Sequence, residues 1–390
     1  MHDIFSFLIV LSSILFFAML FGEFALKLGQ SVVMGELIVG IIMGPSVLAI
    51  INETQTLSNI SELGAMILLF EVGLSTNIKK FLKSSGWASA VAIIGVVLPY
   101  FFGYFGFLLF GFTNSQAIFA ASALTATSVG ITAKVFMDLQ YIETEEAEIV
   151  LGAAIIDDII GLTILAIVSR LITNGTIDFK TIASISGYAI LFLISSIVIG
   201  ILVAPTFFKF ISKMKRSYVT LIVGIVFCFI VSSFSIKAKL APIVGAFIAG
   251  LILSVTKQKE KINKEIKPIS AFFVPIFFVM MGINIDVSIF NPFVVSNMKI
   301  WGLVATIFIV ALVGKILSGF IVFKKGIDKF LIGISMVPRG EVGLIFAGIG
   351  LQTNVFKTQD YSALIAVIML TTFITPMMLK YLILKKKNKR

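Results

Sequence analysis

This 390-residue chain has one cysteine, one histidine and two tryptophans, and only 13% of its residues are charged. Each scarcity excludes something. The lone cysteine, Cys228, cannot support a disulfide framework, and it stands inside an apolar run as a small buried side chain would. The lone histidine, His2, sits at the N-terminus, so the chain can build neither a histidine metal site nor a buried histidine pH sensor. No run alternates polar and apolar residues at strand length, which argues against a membrane β-barrel. The start MHDIFSFLIVLSS has no basic n-region and no small-residue cleavage site, and it reads as a retained first helix rather than a signal peptide.

What the chain has in excess is apolar residues. They make up 58% of it, and the mean hydropathy is +1.09, outside the range of soluble domains. They fall in blocks of about 20, the length that crosses a bilayer as a helix. The expected fold class is therefore an all-α polytopic membrane protein. Thirteen spans are read at 4–26, 31–50, 58–77, 85–110, 115–137, 145–173, 180–212, 216–234, 239–256, 266–283, 298–323, 329–351 and 360–384. Turn residues mark the short linkers: Asn52, Gly111, Asn114, Asn174-Gly175, Asn291-Pro292 and Asn354.

An odd number of spans puts the termini on opposite sides. The basic tail KKKNKR is assigned to the cytoplasm and the N-terminus to the outside of the cell membrane. Loops on the tail's side then hold Lys79, Lys80, Lys83, Lys209, Lys213, Lys215, Arg216, five lysines between 257 and 267, Lys324, Lys325 and Lys329. The opposite loops hold Arg170, Lys180, Lys237, Lys239, Lys299 and Lys357. This bias accounts for the net charge of +11 as a contact with anionic lipid of the bilayer, with no nucleic-acid partner. The acidic stretch DLQYIETEEAE dissents, but acidic residues weigh little in orientation.

The chain resembles itself. VMGELIVGIIMGPS pairs with PIVGAFIAGLILS, LLFEVGLSTNI with FFVMMGINIDV, and TATSVGI with VPRGEVGL. The glycine pairs Gly40/Gly250, Gly73/Gly282 and Gly130/Gly343 are offset by 210, 209 and 213 residues. That offset equals seven spans, so the second copy enters the membrane upside down. Inverted repeats of this kind are built into many secondary transporters.

Ionisable groups at bilayer depth are costly and mark function by default. Asp157 and Asp158 sit mid-span in GAAIIDDIIG, Lys315 in ALVGKILSG, Arg339 and Glu341 in VPRGEVG, and Thr125, Thr127 and Ser128 in TATSVG. Neighbours on a helix point about 100° apart, so the two aspartates cannot face one partner equally. One division pairs one carboxylate with Lys315 and gives the other to a cation or proton. Pro338 and Gly340 should break span twelve, and the repeat together with Ser/Thr competition for backbone bonds should break span five. If both are broken, freed carbonyls and hydroxyls become available to a hard cation. Glu36 and Glu71 also lie within apolar blocks, either lining an entry funnel or tying helices together.

TATSVGITAKVF, the aspartates of AAIIDDIIGL, the lysine of VGKILSG and PRGEVGLIFAGIG together resemble the cation:proton antiporter superfamily, close to its monovalent cation:proton antiporter-2 branch. The resemblance covers nearly the whole chain. It implies an NhaA/NapA-like fold with two crossed broken helices. A panel and dimerisation domain would take 1–84 and 216–297, a core ion-transport domain 85–173 and 298–390, and a linker helix 174–215. It also implies a homodimer and elevator-type movement of the core. By the same resemblance Asp158 binds the cation or proton, and Asp157 pairs with the core lysine, Lys315. Thr127 and Ser128 lie in the unwound segment beside Thr125, Pro338 and Gly340. Lys315, Glu341 and Arg339 compensate charge. Two aspartates plus a lysine resemble electrogenic members that exchange Na⁺ or Li⁺ for H⁺. Potassium-efflux members often lack the first aspartate and carry a large cytosolic domain, and K⁺ exchange stays open. No cofactor beyond the transported monovalent cation and proton is implied, and the chain is read as no enzyme. An intramembrane aspartyl protease would need its acids on two helices, and a channel would build its filter by oligomeric symmetry.

Overall fold

A bilayer leaves no water for backbone groups, so apolar blocks satisfy their own hydrogen bonds as helices. In a computed structural model the protein is described over residues 2–174, 179–214, 217–284 and 295–387, and every regular element among them is a helix. The order is α1 (His2–Lys27), α2 (Val32–Met43), α3 (Gln55–Ser75), α4 (Ile78–Leu109), α5 (Asn114–Ala123), α6 (Val129–Asp138), α7 (Glu145–Asn174) and α8 (Phe179–Ile211). It continues α9 (Val219–Lys237), α10 (Pro242–Leu253), α11 (Lys259–Ile283), α12 (Val295–Gly319), α13 (Lys329–Ser335), α14 (Glu341–Gln352) and α15 (Thr358–Lys387). The predicted turns at Gly175 and Asn291-Pro292, the cations Lys215 and Arg216, the side chains of Arg170, Lys180 and Lys299, and the last three tail residues lie outside the described residues.

The thirteen expected spans are not all met by length and apolarity. Among the described residues eight helices are long and apolar enough to cross a membrane, whereas α2, α10 and Val342–Leu351 are apolar but short. Proline limits two of these: α2 ends at its cap Gly44, before Pro45, and α10 starts on Pro242. Two other expectations shift. Asn114 opens α5 rather than a turn, because Thr113 and Gln116 form a capping box there. Helix α11 starts at Lys259, seven residues before its predicted span, in a charged and amphipathic turn.

The helices pack in two groups. One joins α1–α3 with α9–α11, the other α4–α7 with α12–α15, and α8 bridges α7 to α9 and α10. Apolar side chains also face outward, with Leu202 73% and Phe323 72% exposed, as a lipid solvent permits. Within the first group the repeat is visible as geometry. Gly40 of α2 lies against Gly282 of α11, and Gly73 of α3 against Gly250 of α10; a Cβ on Gly40 or Gly73 would come within 2.1–2.2 Å of a carbonyl oxygen on the opposing helix. Under the repeat pairing α2 corresponds to α10 and α3 to α11. The α2–α11 contact therefore maps onto α10–α3, and the two close approaches exchange.

Loops assigned to one side by charge meet at one end of the bundle. Lys324 bonds Glu145, Lys386 bonds Glu146, Lys387 donates to Leu139 O at 2.6 Å, and Lys380 donates to Gln30 O at 2.7 Å. The dissenting acidic stretch is thus neutralised by lysines of the same side. At the other end Gln116 donates to Val355 O at 2.9 Å, joining the first turn of α5 to the loop between α14 and α15.

Candidate functional site

Span five is divided into α5 and α6 over 124–128, and span twelve into α13 and α14 over 336–340. Pro338 cannot donate a backbone bond, which stops α13. In span five the Thr125 hydroxyl donates to Ser122 O at 2.7 Å and takes the carbonyl of its own preceding turn. The two breaks hold each other. The Ser128 N–H donates to Pro338 O at 2.7 Å, the Thr127 hydroxyl to Met336 O at 3.2 Å, and the Thr132 hydroxyl to Ser335 O at 2.7 Å. Gly340 has no side chain because Ser128 occupies its place: a Cβ there would lie 2.7 Å from Ser128 Oγ.

Helices α7 and α12 deliver the charges. Asp157, Lys315 and Arg339 are completely buried. The Lys315 ammonium donates to Thr125 O at 2.5 Å and to Thr127 Oγ1 at 2.7 Å, and lies 3.4 Å from both Asp157 oxygens. Arg339 donates through Nε and Nη2 to Leu124 O at 3.0 and 2.8 Å, and through Nη1 to Val337 O at 3.2 Å. A weaker bond at 3.4 Å reaches Ala311 O. Leu124 and Val337 lie at the C-terminal ends of α5 and α13, where the helix dipole is negative, whereas Ala311 lies within α12. Arg339 is expected to compensate charge, and its charge does act on Asp157. Its hydrogen bonds go to carbonyls, and Lys315 spends two bonds on span five as well. Much of the backbone freed at the breaks is thus taken by protein cations and hydroxyls rather than left open to a cation.

Asp158 takes the other direction. It lines a narrow cleft with Leu69 of α3, Val129 of α6, Leu151 and Ile155 of its own helix, and Val244 and Phe247 of α10. Asp157 thus faces within its helix group, and Asp158 faces the seam between groups. A cavity of about 770 Å³ opens into the same seam between Ala65, Ile243 and Phe277 on one side and Leu162, Val342 and Ile345 on the other. Leu162 is one helical turn from Asp158. Glu341 is the first residue of α14; its side chain lies outside the described residues. Among the described residues no three acidic, cysteine or histidine side chains converge as a metal cage.

The sequence brought together Asp157, Asp158, Lys315, Arg339, Thr127 and Ser128, and the structure places all six around the two breaks. It did not reveal Thr132, or Thr372, whose hydroxyl donates to Arg339 O. Their partners are carbonyls more than 30 residues away, and no local pattern announces such a bond.

The sodium/hydrogen exchanger transmembrane family profile matches residues 11–385. The high-affinity Na⁺/H⁺ antiporter NhaS3 of Synechocystis is 41% identical over 319 residues, covering 81% of this chain and 69% of that protein. The Na⁺/H⁺-K⁺ antiporter GerN of Bacillus cereus is 35% identical over 381 residues, covering 97% and 96%. The solved structure of the sodium proton antiporter MjNhaP1 from Methanocaldococcus jannaschii superposes with a TM-score of 0.70 at 16% identity, covering 96% of each chain. Its fold is shared despite the low identity. A profile match over nearly the whole length, together with relatives at this level of identity, places this chain in the sodium/hydrogen exchanger family.

Proposed function

We propose that the protein exchanges Na⁺ or Li⁺ for H⁺ across the cell membrane, with Asp158 as the shared site. One observation carries the reading: adjacent aspartates on α7 are split between a buried lysine and the seam between helix groups. Asp157 spends its charge on Lys315. Asp158 stands where a solvated ion entering the 770 Å³ cavity comes within one helical turn of it. A carboxylate in such a place is stable when it holds either H⁺ or a small cation, and the two compete. We assign the remaining coordination to Thr127, Ser128 and Asp157.

The two helix groups act as panel and core, and the core slides against the panel to present Asp158 to each side. Thirteen spans, counting each broken pair as one, put the N-terminus outside and the basic tail inside. The cavity mouth includes Glu53, Lys239 and Asn284 from loops assigned to the outside, so this conformation is the outward-open one. With Asp157, Asp158 and Lys315 all taking part, exchange of two protons per cation moves net charge. A homodimer through the panel completes the assembly. A second reading, that K⁺ is also carried, is favoured by the likeness to GerN, itself a Na⁺/H⁺-K⁺ antiporter.

The test is a pH-gradient assay in everted vesicles. Adding Na⁺ or Li⁺ should dissipate a preformed gradient, and K⁺ should do so only if the second reading holds. A gradient untouched by all three cations refutes the proposal.

A further inference from the structure

We propose that Glu36 and Glu71, beside the Lys134–Asp138 pair, form a second site for an alkali cation, with which a proton competes, on the cytoplasmic half of the seam. The identity of that cation rests on the exchange reading above; the site itself rests on the following geometry.

Glu36 of α2 is 3% exposed, and its Oε2 has no hydrogen-bond partner. Glu71 of α3 is also buried, and its Oε2 accepts from Ser270 of α11 at 2.6 Å. Across the seam, α6 contacts both α2 and α3. Lys134 of α6 is committed to Asp138 at 2.8 Å, yet its charge acts on both Glu36 and Glu71. Asp138 also acts on Glu36, and Lys267 of α11 on Glu71. Helix α15, which packs on α2, contributes Lys380, whose ammonium is bonded to Gln30 O. Three carboxylates therefore share Lys134, and Lys267 acts on one of them, Glu71. Buried charge that is not matched must find a counterion or a proton.

The repeat shows that the fold does not need these charges. At the offsets of the three glycine pairs, Glu36 corresponds to Ala246, Glu71 to Met280, Lys134 to Ala347 and Asp138 to Leu351. One half of the seam is charged and the other half is apolar at all four positions. A structural role in packing the repeat would be expected in both copies. A role tied to one side of the membrane would appear in one.

Location ties the cluster to the ion's route. Leu69 and Val129 line the Asp158 cleft; Glu71 is two residues past the first and Lys134 five past the second, which on α6 is about 7.5 Å along the axis. Lys134 and Asp138 are 24% and 27% exposed, so the cluster reaches water.

The experiment uses the full-length protein carrying Asp158→Asn, which removes the main site. Melting temperature is followed against NaCl, with choline chloride as control, at several pH values. The expected result is a residual, saturable Na⁺-dependent stabilisation. Raising the pH by one unit should strengthen it by up to about tenfold in apparent Kd where H⁺ competes. Adding Glu36→Gln should abolish it, and so should adding Glu36→Ala, the residue of the repeat mate. Absence of residual Na⁺ dependence in Asp158→Asn, or its persistence in both double variants, overturns the proposal. Because the readout is binding, failed transport in vesicles would sink the exchange reading without deciding this one.

Discussion

The ammonium of Lys315 lies 2.5 Å from the carbonyl oxygen of Thr125 and 3.4 Å from the nearest oxygen of Asp157. The lysine is thus anchored to the broken helix first and to the carboxylate second. That order has a mechanistic consequence. Under the proposed exchange, a proton gained or lost at Asp157 would leave the bonds of Lys315 to Thr125 and Thr127 in place, and the break would hold.

Lys315→Ala removes three partners at once and leaves Asp157 buried without its cation. Breaking a buried pair in this way costs about 3–5 kcal/mol. The variant should melt at a clearly lower temperature, and Na⁺-evoked currents on a solid-supported membrane should be weakened or lost. Adding Asp157→Asn should recover part of the stability. A double variant that melts lower than Lys315→Ala would show that the two residues are not coupled.

Arg339→Lys keeps the charge and loses the planar fork that reaches Leu124 O twice. Each charge-assisted bond contributes about 1.5–3 kcal/mol. Stability should fall and turnover with it, measured by melting and by vesicle assay. Retention of both would mean that the positive charge alone holds the two C-terminal helix ends.

Gly340→Ala would place a methyl 2.7 Å from Ser128 Oγ and 2.8 Å from its Cβ. Overpacking of this kind costs about 1–3 kcal/mol. The crossing of the breaks should shift, and exchange should drop several-fold. The control is Gly348→Ala on the same helix, where nothing lies within 4 Å and added helix propensity should leave the protein as stable or more so. Equal effects at both positions would remove the special status of the break.

Asp158→Asn should leave a folded, membrane-inserted protein whose exchange equals that of empty vesicles. Normal turnover would refute Asp158 as the shared site.

The helix positions were legible because apolar blocks have one available solution in lipid. Predicted 145–173 and observed Glu145–Asn174 differ by one residue. The break in span twelve was legible from Pro338 and Gly340, and the break in span five only through its repeat mate, since TATSVG holds no proline. The carbonyl partners of Lys315 and Arg339 were not legible. A buried cation suggests a carboxylate, and nothing local says that a helix end 190 or 215 residues away supplies the oxygen instead. The same holds for Glu36, whose isolation becomes visible only when α6 is seen to commit Lys134 to Asp138. The predicted span 266–283 falls short of α11 because Lys259, Lys261 and Lys264 read as loop, although they lie in the first turns of a continuous helix.

The most direct test is to titrate Na⁺ into purified, weakly buffered protein and count protons with a pH indicator. If a cation and a proton compete for Asp158, Na⁺ should release H⁺ from the wild type, and the Asp158→Asn variant should release measurably less. Binding of Na⁺ with no proton release from the wild type would contradict the account.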